Sequence, residues 1–315
     1  MFVSLSRSVR ALLGNGPLVL TIGVLAGLVL PSLADACRPL LAPCVFIFVA
    51  GTFLRLDVAA VLLALRNPLF ALGLPFVAIV LIPLSVGWVS TLVGWEAPIA
   101  SALVLSLVAP PSSANAAIAR MLKADDSVAF VVTTVATLAL PLVAPAVLLA
   151  VGSSAASLNP LDLALRLFLL LGGAGLLAVA LRGLAPVVVA RSGSLFDGLV
   201  VGALFIFALA TMSGVPQLIA ADPVAVAGVV ALAYGVNVGL MVIFTALTPG
   251  SMATRLGVGI SMGNRNVGLI WAVLGTAIDP LVALYFAAAQ FPIFTTPLLI
   301  RWVIGVLPAR FQPDG

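Results

Sequence analysis

Histidine is absent from the 315 residues, cysteine occurs twice, and Asp, Glu, Lys and Arg together make up only 8% of the chain. Each shortage excludes something. A soluble domain carries roughly 25% charged residues, so this chain cannot cover a water-facing surface. Without histidine there is no imidazole to take up or relay a proton near neutral pH. Cys37 and Cys44 stand seven positions apart, too few and too close for a disulfide framework, and read as two free thiols. Carboxylates are confined to the polar breaks, so proton coupling through a membrane-embedded acid is not expected.

What is present is apolar: 63% of the residues are hydrophobic, in stretches that recur from Pro17 to Leu307 with only short interruptions. This is the composition of one membrane domain, 1–315, in a lipid bilayer. The net charge of +4 and pI near 9.8 do not point to nucleic acid, because the basic residues sit between the apolar stretches, where they act as topology signals. Arg7 and Arg10 before an apolar run ending at Pro31-Ser32-Leu33-Ala34-Asp35-Ala36-Cys37 have the outline of a signal peptide. Asp35 beside the would-be cleavage point argues against a lipoprotein site, and the segment is expected to be a first span with cytoplasmic basic flanks.

With about 20 residues needed per crossing, the breaks divide the chain into ten expected spans: 17–34, 37–54, 68–92, 97–122, 127–152, 160–183, 195–215, 222–248, 252–277 and 280–307. An even number puts both termini on one side. That side collects Arg7, Arg10, Arg55, Arg66, Arg120, Lys123, Arg182, Arg191, Arg255, Arg301 and Arg310, against only Arg38 and Arg166 opposite. Since Lys and Arg are retained inside, both termini are expected in the cytoplasm of a cell whose inner membrane holds the protein.

Ten spans make two sets of five, about 17–152 and 160–307, and an odd number per set gives the second an inverted orientation. Both the fourth and the ninth span carry a small, polar, helix-breaking cluster: Pro110-Pro111-Ser112-Ser113-Ala114-Asn115 and Ser261-Met262-Gly263-Asn264-Arg265-Asn266. Two prolines in succession remove two backbone donors and clash with the preceding turn. Unwound backbone at membrane depth is tolerated only where it is buried in protein or lines a watery cavity, and paired interruptions in two halves point to a transporter's binding site. Arg265 is the one charged side chain placed deep in a span, at a cost of at least about 2.5 to 3.5 kcal/mol. Thr133 and Thr137 share one helical face; Gln290 and Asn237 lie inside the tenth and eighth spans. For the threonines a bond back to their own helix is the competing reading, and for Gln290 and Asn237 it is bonding between helices.

At these residues the sequence resembles the bile acid:sodium symporter family. The likeness rests on the Pro110 to Asn115 cluster followed by Ala119-Arg120-Met121-Leu122, on Thr133-Thr134-Val135-Ala136-Thr137-Leu138 with Pro141 and Pro145, and on Asn266-Val267-Gly268-Leu269. It implies an all-α fold of ten transmembrane helices in two inverted five-helix repeats, with the fourth and ninth broken and crossing beside substrate and sodium. It also implies a substrate-binding set of Ser112, Ser113, Asn115, Asn264, Arg265, Asn266 and Gln290, and a residual sodium site of Asn115, Thr133, Thr137 and Ser261. No tightly bound cofactor is implied. The departures fall on the ion ligands: Ser261 and Arg265 stand where the family has a glutamate and a glutamine, Ala78 in place of a third-span glutamine, and Ala114 in place of a serine. Arg265 is therefore expected either to replace sodium at the broken-helix carbonyls or to pair with an anionic substrate through its planar fork.

The function that follows is secondary transport of a small organic anion by alternating access, sodium-coupled as the resemblance implies or, with ligands lost, a sodium-independent uniporter or exchanger. An intramembrane enzyme lacks an activator for its Ser and Thr hydroxyls. A membrane sensor needs no broken helices, and the thiol expected in the fourth-span break of an arsenite carrier is missing.

Overall fold

Prolines and glycines, more than polar loops, set the ends of the helices. The computed structural model describes residues 16–56, 59, 62, 67–152, 159–191, 193–275 and 278–306, and every regular element among them is helical. In chain order they are α1 (Gly16–Val29), α2 (Pro31–Leu54), α3 (Phe70–Val93), α4 (Ala97–Val108), α5 (Asn115–Met121), α6 (Asp126–Val151), α7 (Pro160–Leu184), α8 (Pro186–Arg191), α9 (Gly193–Ala210), α10 (Val215–Ala221), α11 (Pro223–Leu247), α12 (Met252–Gly263), α13 (Val267–Leu274) and α14 (Pro280–Val306). Proline opens α2, α7, α11 and α14, the helix position where a missing donor costs nothing. Among the described residues seven helical stretches are long and apolar enough to cross a membrane: Pro31–Leu54, Phe70–Val93, Asp126–Val151, Pro160–Leu184, Gly198–Ala221, Pro223–Leu247 and Pro280–Trp302. The chain is an integral membrane protein. Large apolar side chains such as Leu142, Leu176 and Val224 are exposed along these helices, as lipid contact requires.

Several boundaries differ from the sequence expectation. The first two helices part at Leu30, not between 34 and 37, because Pro31 starts a new helix and Asp35 and Arg38 are carried inside it. The seventh stretch is interrupted by a turn at 211–214, which ends in a left-handed Gly214. Ser261, Met262 and Gly263 remain helical, so the second interruption is confined to Asn264–Asn266. Asn115 likewise begins α5 rather than lying in the break. Arg7, Arg10, Arg66 and Arg310 of the charge count lie outside the described residues, as do Asp57 and Asp314.

Two compact units divide the chain, and each draws on both of its halves. One comprises Met1–Leu56 and Phe168–Pro223, hence α1, α2, most of α7, and α8 to α10. Within it α9 packs along α1 and α2. The approach to α1 is close: a Cβ added at Gly27 would stand 2.5 Å from the Leu209 carbonyl oxygen and one at Gly23 2.8 Å from that of Phe205. Small residues four apart that let backbones touch are the usual cement of membrane helices, where no hydrophobic force separates protein from lipid. Arg182 donates from Nε to the Leu54 carbonyl at 2.9 Å and from NH2 to that of Leu56 at 2.8 Å, closing the C-terminal end of α2. Ser213 donates to Asp35 at 2.6 Å.

The other unit comprises Asp57–Leu167 and Val224–Gly315 and holds α3 to α6 and α11 to α14. Its helices meet in a pattern set by the two interruptions: α4 packs on α13 and α14, whereas α5 packs on α12 and α6. One buried cluster joins Ala78, Ile79, Ile82, Leu107, Ala136, Val258 and Met262. A second joins Ile118, Ala119, Leu122, Ala129, Met241 and Ile260. Arg255 donates to the Thr245 carbonyl at 2.9 Å near the end of α11, and Arg166 to that of Val273 at 3.1 Å near the end of α13.

Candidate functional site: the crossing of two interrupted helices

Pro110 and Pro111 deny α4 its next two backbone donors, and each forces the residue before it out of the helical region. Ala109 accordingly turns extended, with φ −57° and ψ 140°. Asn264 leaves α12 in the same way, at φ −83° and ψ 116°. The two extended pieces pair antiparallel at Pro111 and Arg265. Ser112 donates its N–H to the Asn264 carbonyl at 3.0 Å, and Asn266 donates to the Pro110 carbonyl at 2.8 Å. This short ladder is how buried backbone in both breaks is satisfied without water.

Side chains complete the accounting. Asn237 on α11 donates from Nδ2 to the Gly263 carbonyl at 3.0 Å and to Asn264 Oδ1 at 2.9 Å. Asn115 donates from Nδ2 to the Asn264 carbonyl at 3.4 Å. The Thr133 hydroxyl reaches the Ser112 carbonyl at 3.4 Å, and that carbonyl also accepts the Asn115 N–H at 3.0 Å. A Cβ at Gly263 would lie 2.5 Å from the Asn237 carbonyl oxygen, so glycine is required for α11 to come close enough for these bonds.

Arg265 stands apart from this network. It is 4% exposed, and its Nε, NH1 and NH2 have no hydrogen-bond partner. Of the two roles expected for it, the first finds no hydrogen bond here: the guanidinium bonds none of the broken-helix carbonyls, of which those of Pro110, Ser112, Gly263 and Asn264 accept from other donors. Removing the partner of a buried charge costs about 3 to 5 kcal/mol, whereas an unsatisfied neutral polar atom costs about 1 to 3. Arg265 is thus the dominant unmet demand of the crossing. Smaller ones are Asn115 Oδ1, Asn237 Oδ1 and Asn264 Nδ2. Arg265 lines a cavity of about 20 Å³ with Ser106, Asn237, Gly263, Val267 and Tyr285. The Ser106 hydroxyl in this wall donates to the Leu103 carbonyl at 2.9 Å.

The remaining expected site residues are divided. Ser112, Asn115, Asn264, Arg265, Asn266 and Thr133 come together at the ladder. Ser113 is exposed, and Gln290 donates to the Phe286 carbonyl of its own helix at 3.4 Å. Thr137 and Ser261 also bond back, to Thr133 and Gly257 at 2.7 and 2.8 Å. As a sodium site the set fits poorly: no carboxylate joins it, the carbonyls of Pro110, Ser112, Gly263 and Asn264 already accept hydrogen bonds, and a fixed cation shares the crossing. Ser106 and Tyr285 carry no sequence signal, since nothing in a lone serine or tyrosine of an apolar run distinguishes a cavity wall from packing.

No family model matches the sequence, and no curated protein matches it.

Proposed function

We propose that this chain is a secondary transporter of a small organic anion, with ten membrane crossings, both termini cytoplasmic and halves related as inverted repeats, working by alternating access around the paired interruptions. The observation that carries it is Arg265: a buried cation without a partner, held at a place where two helices are broken and locked together. An anionic group supplied from solution meets that demand, and the guanidinium fork is suited to a carboxylate. The ten-crossing reading adds to the seven long stretches the short helix α1 and the two interrupted pairs α4 with α5 and α12 with α13. Each compact unit takes the same places from the two halves, first and second with sixth and seventh, third to fifth with eighth to tenth. That partition is what an inverted repeat produces when one bundle moves against another.

Sodium-independent uniport or exchange is favoured over symport by the occupied carbonyls and the missing carboxylate. Purified protein in proteoliposomes, offered a panel of labelled steroidal and short-chain carboxylates with and without a sodium gradient, tests both points. Uptake by the wild type that persists without sodium and falls in Arg265→Ala is the expected result. Uptake that is unchanged by Arg265→Ala sinks the proposal; uptake that needs sodium restores the symport reading.

A further inference from the structure

We infer that the cavity at Arg265 binds one halide-sized inorganic anion, chloride under ordinary conditions, which supplies the countercharge that the protein does not. Such binding needs no movement of solute, so it goes beyond the transporter reading and stands without it.

The charge balance comes first. Among the described carboxylates of the same unit, Asp125 caps the start of α6, Asp126 pairs with Arg120 at 2.8 Å, and Asp279 accepts from the backbone N–H of Leu281 at the start of α14. Glu96 and Asp162 are exposed. None bonds Arg265, whose three nitrogens are all free. The cavity's other polar lining is neutral, from Ser106, Asn237 and Tyr285, and the rest is apolar.

Size selects the ligand next. About 20 Å³ is room for roughly one water-sized body. Chloride, somewhat larger than water, is the smallest abundant anion for such a space, whereas a carboxylate with any carbon skeleton requires the cavity to widen, as it would in a transport cycle. Polarity then decides between halide and water. Water would serve both Arg265 and the unpartnered Asn237 Oδ1, but it cancels no charge. An anion leaves the Asn237 oxygen unserved and removes the larger penalty, that of an isolated buried cation. The free Nδ2 of Asn264 adds a donor at the same crossing.

The test uses the full chain, purified in detergent, with gluconate, an anion far too large for the cavity, as the only organic anion present. Thermal unfolding is followed while sodium gluconate is replaced by sodium chloride or bromide at constant ionic strength, and crystals grown in bromide are measured for anomalous scattering. Tm is expected to rise with halide and saturate. Arg265→Gln should shift the half-saturating concentration at least tenfold, Arg265→Lys should keep a weaker response, and bromide should scatter beside Arg265. The inference is overturned by an absent halide response, by an equal one in Arg265→Gln, or by a water without anomalous signal in the cavity. Should Arg265→Gln not fold, the bromide map of the wild type and the Lys variant decide. Uptake measurements are separate: transport can fail while halide still binds, and halide binding can fail while uptake still depends on Arg265.

Discussion

The two interruptions are built by opposite means. The first, 109–114, contains two prolines and no charge, and its backbone would leave the helix whatever surrounded it. The second, Asn264–Asn266, contains no proline, and its extended form depends on what it pairs with: the Pro110 carbonyl, the Ser112 N–H and the Asn237 amide. One break is written into the chain by its prolines; the other is held by the partners it pairs with. The partner-held break is also the one that holds the cation. Rigidity and reactivity are thus divided between them, with the charge on the side that can rearrange at the cost of a few hydrogen bonds.

Removing the charge is the strongest way to break this comparison. Arg265→Met should lower organic-anion uptake by about 100-fold, since one charge-assisted fork is worth about 3 kcal/mol. The same variant should be more stable than the wild type in gluconate, by about 1 to 4 kcal/mol, because an apolar side chain replaces an uncompensated buried ion. A variant that loses both stability and uptake would show that the guanidinium is structural. Next in size is the double change Pro110→Ala with Pro111→Ala. Restored helix-forming residues compete with the ladder, and the loss of its two hydrogen bonds should cost about 2 kcal/mol, read from unfolding in detergent. If the first break is the template, amide exchange at Asn266 should rise with it.

Asn237→Ala tests the second break alone. It leaves the Gly263 carbonyl and Asn264 Oδ1 without their donor and should cost about 1 to 3 kcal/mol. Ser113→Ala comes last: its side chain is exposed in the proline-built break, and a change within about 0.5 kcal/mol is expected, with uptake unaltered. A large effect at Ser113 would mean that the first break is not self-sufficient.

Much of this crossing was legible in the sequence, because its signals are local. Consecutive prolines, a lone arginine in an apolar run and flanking asparagines mark a broken helix in a membrane without any knowledge of neighbours. Extents were less legible. Ser261 looked like part of the break, yet its hydroxyl bonds back to Gly257 and it stays helical. Pro31 carried the correct start of α2, but the polar residues Asp35 and Arg38 outweighed it in placing the boundary. The cavity wall and the bond of Asn237 to the break arise from helices distant in sequence. Lipid-facing and protein-facing sides of these helices are almost equally apolar, so hydrophobic periodicity does not tell which helix meets which. The grouping of α1 and α2 with α7 and α9 is of this kind.

The glycine pair of α1 has a meaning for biosynthesis. Gly23 and Gly27 are shaped to receive α9 at Ala208 and Leu209, which the ribosome makes about 180 residues later. At about 5 to 20 residues per second, α1 waits roughly 10 to 40 s in the bilayer with its glycine face against lipid. The first two helices are thus inserted long before the helix that covers the glycine face of α1 has been made.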